Sequence, residues 1–272
     1  MTTGFGWISF TTDYGTVDGF VAVCKGVIAT IAPSAVVVDV THQVPPQDVR
    51  RGSVVLAQTA PWLPPAVHLA VVDPGVGTTR RGIAVATQRG TLVGPDNGLL
   101  LPAADALGGV VGVYELTAPA FRLREVSATF HGRDVFAPAA AHLARGVEPG
   151  QLGPPVPADD LLRLPAPTVQ AGPYGLRAEV LTVDSFGTLQ LAATAADLDG
   201  AGLHLGTRAT VHGGDTWRPA RIGRTFADVP AGALVVLVDS AGHVAVAVNG
   251  GSAAAELGAG AGQELAVRPD RP

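Results

Sequence analysis

Residues 146–173, GVEPGQLGPPVPADDLLRLPAPTVQAGP, separate two stretches of chain with different periodicities. Pro and Gly at this density interrupt any long helix or strand, so the segment reads as an ordered linker or domain boundary. Before it, the short β-branched runs WISFTT (7–12), AVVVDV (35–40), VHLAVVD (67–73), GIAVAT (82–87) and VVGVYEL (110–116) predict buried strands. Between the first two, Phe20, Cys24, Val27, Ile28 and Ile31 recur at helical spacing and Pro33 closes the helix. RDVFAPAAAHLAR (133–145) predicts a further helix that Pro138 should kink or restart. Strands alternating with helices imply a largely parallel sheet covered by helices.

Beyond the linker the helical signal nearly vanishes. LRAEVLTVD (176–184), RATVHG (208–213), ALVVLVD (233–239), HVAVAV (243–248) and QELAVR (263–268) predict short strands split by Gly turns. The expected organisation is an α/β N-terminal domain with a mainly parallel sheet, residues 1–165. A small antiparallel β-barrel-like C-terminal domain, residues 166–272, follows.

The 272 residues can bury a real core, and 47% hydrophobic against 15% charged residues excludes a disordered chain. A net charge of −5 gives no basic footprint, so neither nucleic acid nor an anionic membrane is an expected partner. One cysteine, Cys24, excludes an intramolecular disulfide and a multi-Cys metal site. MTTGFGWISF lacks the features of a signal peptide, and no apolar run approaches the roughly 18 residues of a membrane span. A cytoplasmic protein is expected. Ala, Gly and Pro are abundant and Lys25 is the only lysine. A coding bias explains this, so Arg in place of Lys carries little functional information.

Polar islands interrupt the apolar strands. TTDYGTVDG (11–19) places Asp13 and Asp18 at the carboxyl end of the first strand, where open α/β sheets bind ligands. Asp13 serves equally well to accept two hydrogen bonds from a vicinal diol or to cap the turn. VVDPGVGTTRRG (71–82) ends a strand at Asp73 and continues through a Gly loop to Arg80. It matches neither a Walker loop nor GxGxxG, and alone it reads as a turn. GPDNGLL (94–100) is a turn signature. In FHGRD, His131 precedes a helix; an Arg nearby would disfavour the imidazolium and keep a neutral ring able to accept a proton. Alternatively His131 caps that helix while Arg133 and Asp134 pair on its surface. Phe186 and Phe226 fit a core or a stack on a flat ligand.

Taken in order, TTDYGTVDGFVAVCKGVI, VVDVTHQVPPQDV, VVDPGVGTTRR, GPDNGLL and TFHGRD, then VDSFGT, RTFADV and VNGGSAAAELG, resemble the S-adenosyl-L-methionine (SAM) hydrolase (adenosine-forming), or SAM hydroxide adenosyltransferase, family. The fluorinase and chlorinase are relatives of that family. The resemblance implies an α/β N-terminal and a β-barrel-like C-terminal domain. It also implies a homotrimer, each site lying between the N-domain of one subunit and the C-domain of its neighbour. The implied substrate is SAM and the implied products are adenosine and L-methionine, with neither a metal nor another cofactor expected.

By the same resemblance, Asp73, Arg80 and His131 match the set that positions and activates a water. Asp13 matches the carboxylate that grips the ribose diol. Asp18 and Asp184 match positions near the methionine ammonium, and Ser240 one near its carboxylate. Phe226 and the backbone around Asn249 and Gly250 match the adenine pocket, to which Phe186 and Thr188 are adjacent. The halogenases carry an aromatic residue in place of Asp73 and a halide-binding Ser in place of Gly132. Three departures concern affinity: Thr188 replaces the family's usual Asn, Ala241 replaces the halogenase Arg, and Gln47 stands where the halogenases stack an aromatic ring.

Water attacking the ribose C5′ displaces a sulfonium that leaves as a neutral thioether, so no general acid is called for. A nucleophile is what must be made, because bulk water ionises with a pKa of about 15.7. His131 is the expected proton acceptor, Asp73 would orient Arg80, and Gly132 would leave room for the water. Three alternatives compete. A 5′-halogenase is opposed by Asp73, which would repel halide. A non-catalytic SAM- or adenosine-binding protein has no need of Asp73, Arg80 and His131. A metallohydrolase on Asp13, Asp73, Asp96 and His131 lacks a recognisable ligand spacing.

Overall fold

Every residue of the strand Ala66–Val71 is buried, and its side chains divide alternately between two cores. Val67, Leu69 and Val71 pack with Ile8, Phe10, Ile28 and Phe136 on one face. Ala70 joins Val72, Leu56, Leu92 and Leu99 on the other. A strand apolar on both faces belongs inside a sheet covered on both sides. The computed structural model, which describes residues 4–214 and 216–270, places it there.

The chain forms two compact units that divide between Leu164 and Pro165. The first contains β1 (Trp7–Thr12), α1 (Phe20–Ile31), β2 (Val36–Thr41), α2 (Val49–Thr59) and β3 (Ala66–Val71). It continues through β4 (Gly82–Thr87), β5 (Gly90–Pro95), α3 (Leu101–Ala106), β6 (Val110–Glu115) and α4 (Ala137–Ala144). The sheet order is β2-β1-β3-β5-β4-β6. Its first three pairings are parallel, while β4 runs antiparallel to β5 and β6. Helix α1 packs with α4 and α2 with α3, each pair over one of the two cores.

The chain leaves β1 on one side to form β2 and returns past it to form β3. That reversal makes the β1–β3 crevice a topological switch point, with its ligand side at the strands' carboxyl ends. Pro138 restarts the last helix. Gly132–Phe136 is a π-helical turn, and α4 begins after it with Pro138 in its first turn, where a missing N–H costs nothing.

His68 on β3 is fully buried, with Nδ1 2.8 Å from Ser9 Oγ on β1. Its Nε2 has no partner among the described residues. Burial, and then Arg89, pull its pKa from the ordinary 6.5 to about 4. Above 6.5 the ring is neutral folded and unfolded; below it the unfolded chain takes a proton that the folded chain refuses. Stability should therefore fall by about 1.4 kcal/mol per pH unit from 6.5 towards 4, about 3 kcal/mol in all. Urea titrations across that range should show the slope, and His68→Gln should flatten it. An equal slope in both proteins would remove His68 as its cause.

The second unit contains β7 (Val169–Gly172), β8 (Gly175–Val183), β9 (Leu189–Thr194), α5 (Ala195–Gly200) and β10 (Arg208–Gly213). It ends with β11 (Thr216–Ile222), β12 (Leu234–Val238), β13 (His243–Val248), α6 (Ala253–Leu257) and β14 (Glu264–Pro269). Strands β8 to β14 close into a seven-stranded barrel, because β14 pairs with both β10 and β8; β7 adds outside β8. The barrel is mixed rather than wholly antiparallel, since β11 and β12 run parallel. Its interior is filled by Val180, Leu189, Leu191, Val211, Val236, Val246 and Leu265 among others.

Candidate active site

Asp13 directly follows β1, and Asp73 stands two residues beyond the end of β3. Both carboxylates thus emerge on the ligand side of the switch point. They line a pocket of about 400 Å³ together with Tyr14, Gln47, Phe130 and His131. That volume lies in the range of small-molecule sites.

Three hydrogen bonds build the charged array. Arg80 Nε donates to Asp73 Oδ1 at 3.1 Å and Nη2 donates to Oδ2 at 2.5 Å. Nη2 also donates to His131 Nδ1 at 3.0 Å. The side chains of Arg80 and Asp73 are only 7% and 5% exposed. Arg80 also stacks over the Phe136 ring, 5.2 Å from its centroid. Asn97 Nδ2 donates to the Val72 carbonyl at 2.9 Å and so anchors the strand end that carries Asp73. Burial pushes the Asp73 carboxyl up from its ordinary value, against the pull of Arg80. Burial, then Arg80, lower the His131 imidazole.

A guanidinium can only donate, so Nδ1 of His131 is the acceptor and the neutral ring carries its proton on Nε2. The one lone pair of that ring is therefore filled by Arg80. This constraint is invisible in the sequence, where His131 reads as a free proton acceptor. The room expected beside Gly132 is also taken: a Cβ there would collide with the Tyr14 hydroxyl. Burial, helped by nearby Cys24, Asp13 and Asp73, raises the Tyr14 pKa, so the phenol stays protonated. Tyr14, Phe20 and Phe130 form a trio with ring centroids 5.3–6.0 Å apart. Sequence reasoning passed over Tyr14, and its adjacency to Asp13 in TTDYG is the signal that could have found it.

Asp13 Oδ2 accepts the Gln47 N–H at 2.9 Å, and Gln47 adopts a left-handed φ of 67° to deliver it. Asp18 is exposed and does not line this pocket. Arg133 and Asp134 do pair, but not on the surface: Asp134 is fully buried, accepts from Arg133 Nε at 2.6 Å, and takes the Ser127 N–H at 2.8 Å. Asp96 is likewise buried and structural, held by Arg81 and by the Leu162 N–H. Among the described residues, no group of three or more His, Cys, Asp or Glu is arranged to hold a metal. No helix among them is long and apolar enough to cross a membrane.

The remaining candidates lie on the second unit. Asp184 Oδ1 accepts the N–H groups of Phe186 and Thr188 at 2.9 and 2.8 Å, folding 184–188 into a tight turn that leaves Phe186 79% exposed. The Ala254 N–H donates to the Gly187 carbonyl, so this turn abuts the segment after Asn249 and Gly250. Asn249 Nδ2 donates to the Val229 carbonyl at 2.8 Å, tying in the turn that carries the half-exposed Phe226. These residues gather at one end of the β12–β13 hairpin, whereas Ser240 sits in the turn at its other end.

The model of the SAM hydroxide adenosyltransferase N-terminal domain matches residues 8–153, and that of the C-terminal domain matches residues 178–266. The chain is 60% identical over 261 residues to an (R)-S-adenosyl-L-methionine hydrolase of Salinispora arenicola, covering 96% of this chain and 97% of that one. It is 46% identical to the protein so named from Thermus thermophilus, over 92% of this chain and 95% of that one. A fluorinase of an Actinoplanes species is more distant, at 29% identity over 89% and 90% of the two chains. The crystal structure of a conserved protein from Thermotoga maritima superposes with a TM-score of 0.88 at 36% identity, covering 96% of this chain and 99% of that one. Two domain models matched in order, and identity this high over nearly the whole length, agree with a pocket lined by Asp13, Asp73 and His131 with Arg80 bonded to the last two: the chain belongs to the SAM hydroxide adenosyltransferase family.

Proposed function

We propose that this chain hydrolyses SAM to adenosine and L-methionine by attack of water on the ribose C5′. The observation that carries the reading is the Asp73–Arg80–His131 array opening on the pocket that also holds Asp13. As the O–C5′ bond forms, the C5′–S bond breaks and sulfur keeps the electron pair, leaving as a neutral thioether. The water's proton needs an acceptor. His131 has spent its lone pair on Arg80, so the acceptor we assign is Asp73, made more basic by burial. His131 holds the attacking oxygen through Nε2–H, and Arg80 fixes both neighbours. The aromatic trio and the carboxylates suit a substrate bearing a sulfonium and an ammonium.

Asp13 takes the ribose diol in this reading. Asp13→Ala should weaken adenosine binding about 10-fold, the worth of a hydrogen bond to a charged group. Unchanged affinity, read by calorimetry, would remove the assignment. We assign Asp184, Phe186, Thr188, Phe226, Asn249, Gly250 and Ser240 to the adenine and amino-acid ends of SAM, which the two ends of the β12–β13 hairpin suit. Asp18 we keep near the methionine ammonium by family resemblance alone. No metal or other cofactor enters, and we infer a cytoplasmic homotrimer. Light scattering should then report three times 27.5 kDa.

The reading is tested by supplying SAM together with EDTA, with and without chloride, and resolving the products by chromatography. Equal amounts of adenosine and methionine are expected in every case. A 5′-chloro nucleoside, loss of turnover in EDTA, or bound but intact SAM would each overturn it.

A further inference from the structure

We propose that His42 is a positioning residue for Asp13, an inference that rests on Asp13 gripping the ribose diol. His42 follows β2, is 5% exposed, and has both ring nitrogens bonded. Nε2 lies 3.0 Å from Asp39 Oδ1, and a carboxylate can only accept, so Nε2 carries the proton. Nδ1 lies 2.9 Å from Thr12 Oγ1. With the proton on Nε2, Nδ1 is the ring's acceptor, so the hydroxyl, which itself accepts the Tyr14 N–H at 3.2 Å, donates its hydrogen to Nδ1. The donors thus run one way, from Tyr14 through Thr12 and His42 to Asp39.

Asp13 lies between Thr12 and Tyr14, the two residues that this chain of bonds joins. The main chain of His42 adds a further tie, its carbonyl accepting the Gly15 N–H at 2.7 Å. Five residues later Gln47 donates its N–H to the Asp13 carboxylate. The backbone on both sides of Asp13 and the carboxylate itself are therefore all held by the segment His42–Gln47. A carboxylate that must meet two hydroxyls at once needs its orientation fixed to about 10–20°.

The outer end of the network holds the sole lysine. Lys25 Nζ bonds Asp39 Oδ2 at 2.5 Å and leaves Oδ1 to His42. A guanidinium fork would engage both oxygens and compete with the imidazole for Oδ1. In a chain whose other 17 Lys and Arg positions are all Arg, a single-point cation stands where a fork would compete with the imidazole. Lys25 and Asp39 are 36% and 43% exposed, so this outer pair adds little to the stability of the fold.

The test compares two ligands, adenosine and 2′,3′-dideoxyadenosine, by calorimetry on the full chain. His42→Ala removes the relay. Asp39→Asn keeps the bulk at a half-exposed position and replaces the charged acceptor of the Nε2–H with a neutral one. His42→Ala should weaken adenosine about 10-fold and Asp39→Asn by less, and both should leave dideoxyadenosine within about 2-fold. Neither should weaken adenosine further when combined with Asp13→Ala. With SAM, KM should rise while kcat stays within about 3-fold.

Equal losses for both ligands, additivity with Asp13→Ala, or undiminished diol preference in both variants would overturn the role of His42 and leave Asp13 in place. A wild-type protein that binds the two ligands equally would overturn the reading of Asp13, and the positioning role with it.

Discussion

Arg80→Ala should destabilise the fold by about 3–5 kcal/mol and lower turnover by at least 10²–10³-fold. The stability loss follows from what the substitution leaves behind. Asp73 is 5% exposed and its two oxygens are matched to the two arms of Arg80, so without the guanidinium an uncompensated carboxylate stays buried. Adding Asp73→Asn to the same protein should recover much of the loss, since the stranded charge is gone. Arg80→Lys should not rescue activity, because a point charge cannot bond both oxygens of Asp73 and Nδ1 of His131 from one plane. Urea unfolding at neutral pH reads the first effect and initial rates read the second. A loss below about 1 kcal/mol would mean that the pair is far less buried than its geometry indicates.

His131→Ala should lower kcat by about 10²–10³-fold with little change in substrate affinity, the usual cost of one donor aimed at the reacting oxygen. Its pH profile carries the sharper content. His131 titrates below its ordinary 6.5 because burial and Arg80 disfavour the imidazolium, whereas burial lifts Asp73 above its ordinary 3.8. A charged ring would set an N–H against the Arg80 N–H, and a protonated Asp73 could no longer take the water's proton. The wild-type kcat/KM should therefore fall in acid, as the lowered His131 and the raised Asp73 take up protons. A profile that stays flat through the acid range would contradict the arrangement. Near-wild-type turnover in His131→Ala would remove the residue from the mechanism.

Elements whose local pattern and tertiary role agree were legible in the chain. The β-branched runs of β1, β2 and β3 and the spacing of Phe20, Cys24, Ile28 and Ile31 lie where the structure has strands and a helix. Strand β5, GTLVGP, was hidden because Gly90, Gly94 and Pro95 imitate a turn; its Gly residues are there because the carbonyls of Ala66 and Ala70 on β3 leave no room for a Cβ. Strand β11, TWRPARI, is mostly exposed, so it shows no alternation and carries a Pro. Helices α2 and α3 also went unread: the Gly within VRRGSVVLAQT and the Pro within the six-residue LPAADA each read as a boundary.

At the site, the residue types were legible and their directions were not. Nothing in FHGRD tells which nitrogen of His131 carries the proton, because a residue 51 positions away decides it. Likewise, the reason for Gly132 lies with Tyr14. Lys25 looked like a relic of composition until Asp39 and His42 were placed beside it.

The measurement that bears most directly on the central claim is hydrolysis of SAM in ¹⁸O-water, with adenosine and methionine examined by mass spectrometry. Attack of water on C5′ predicts one ¹⁸O at the 5′-oxygen of adenosine and none in methionine. Label appearing on the amino-acid product, or adenosine formed without label, would contradict it.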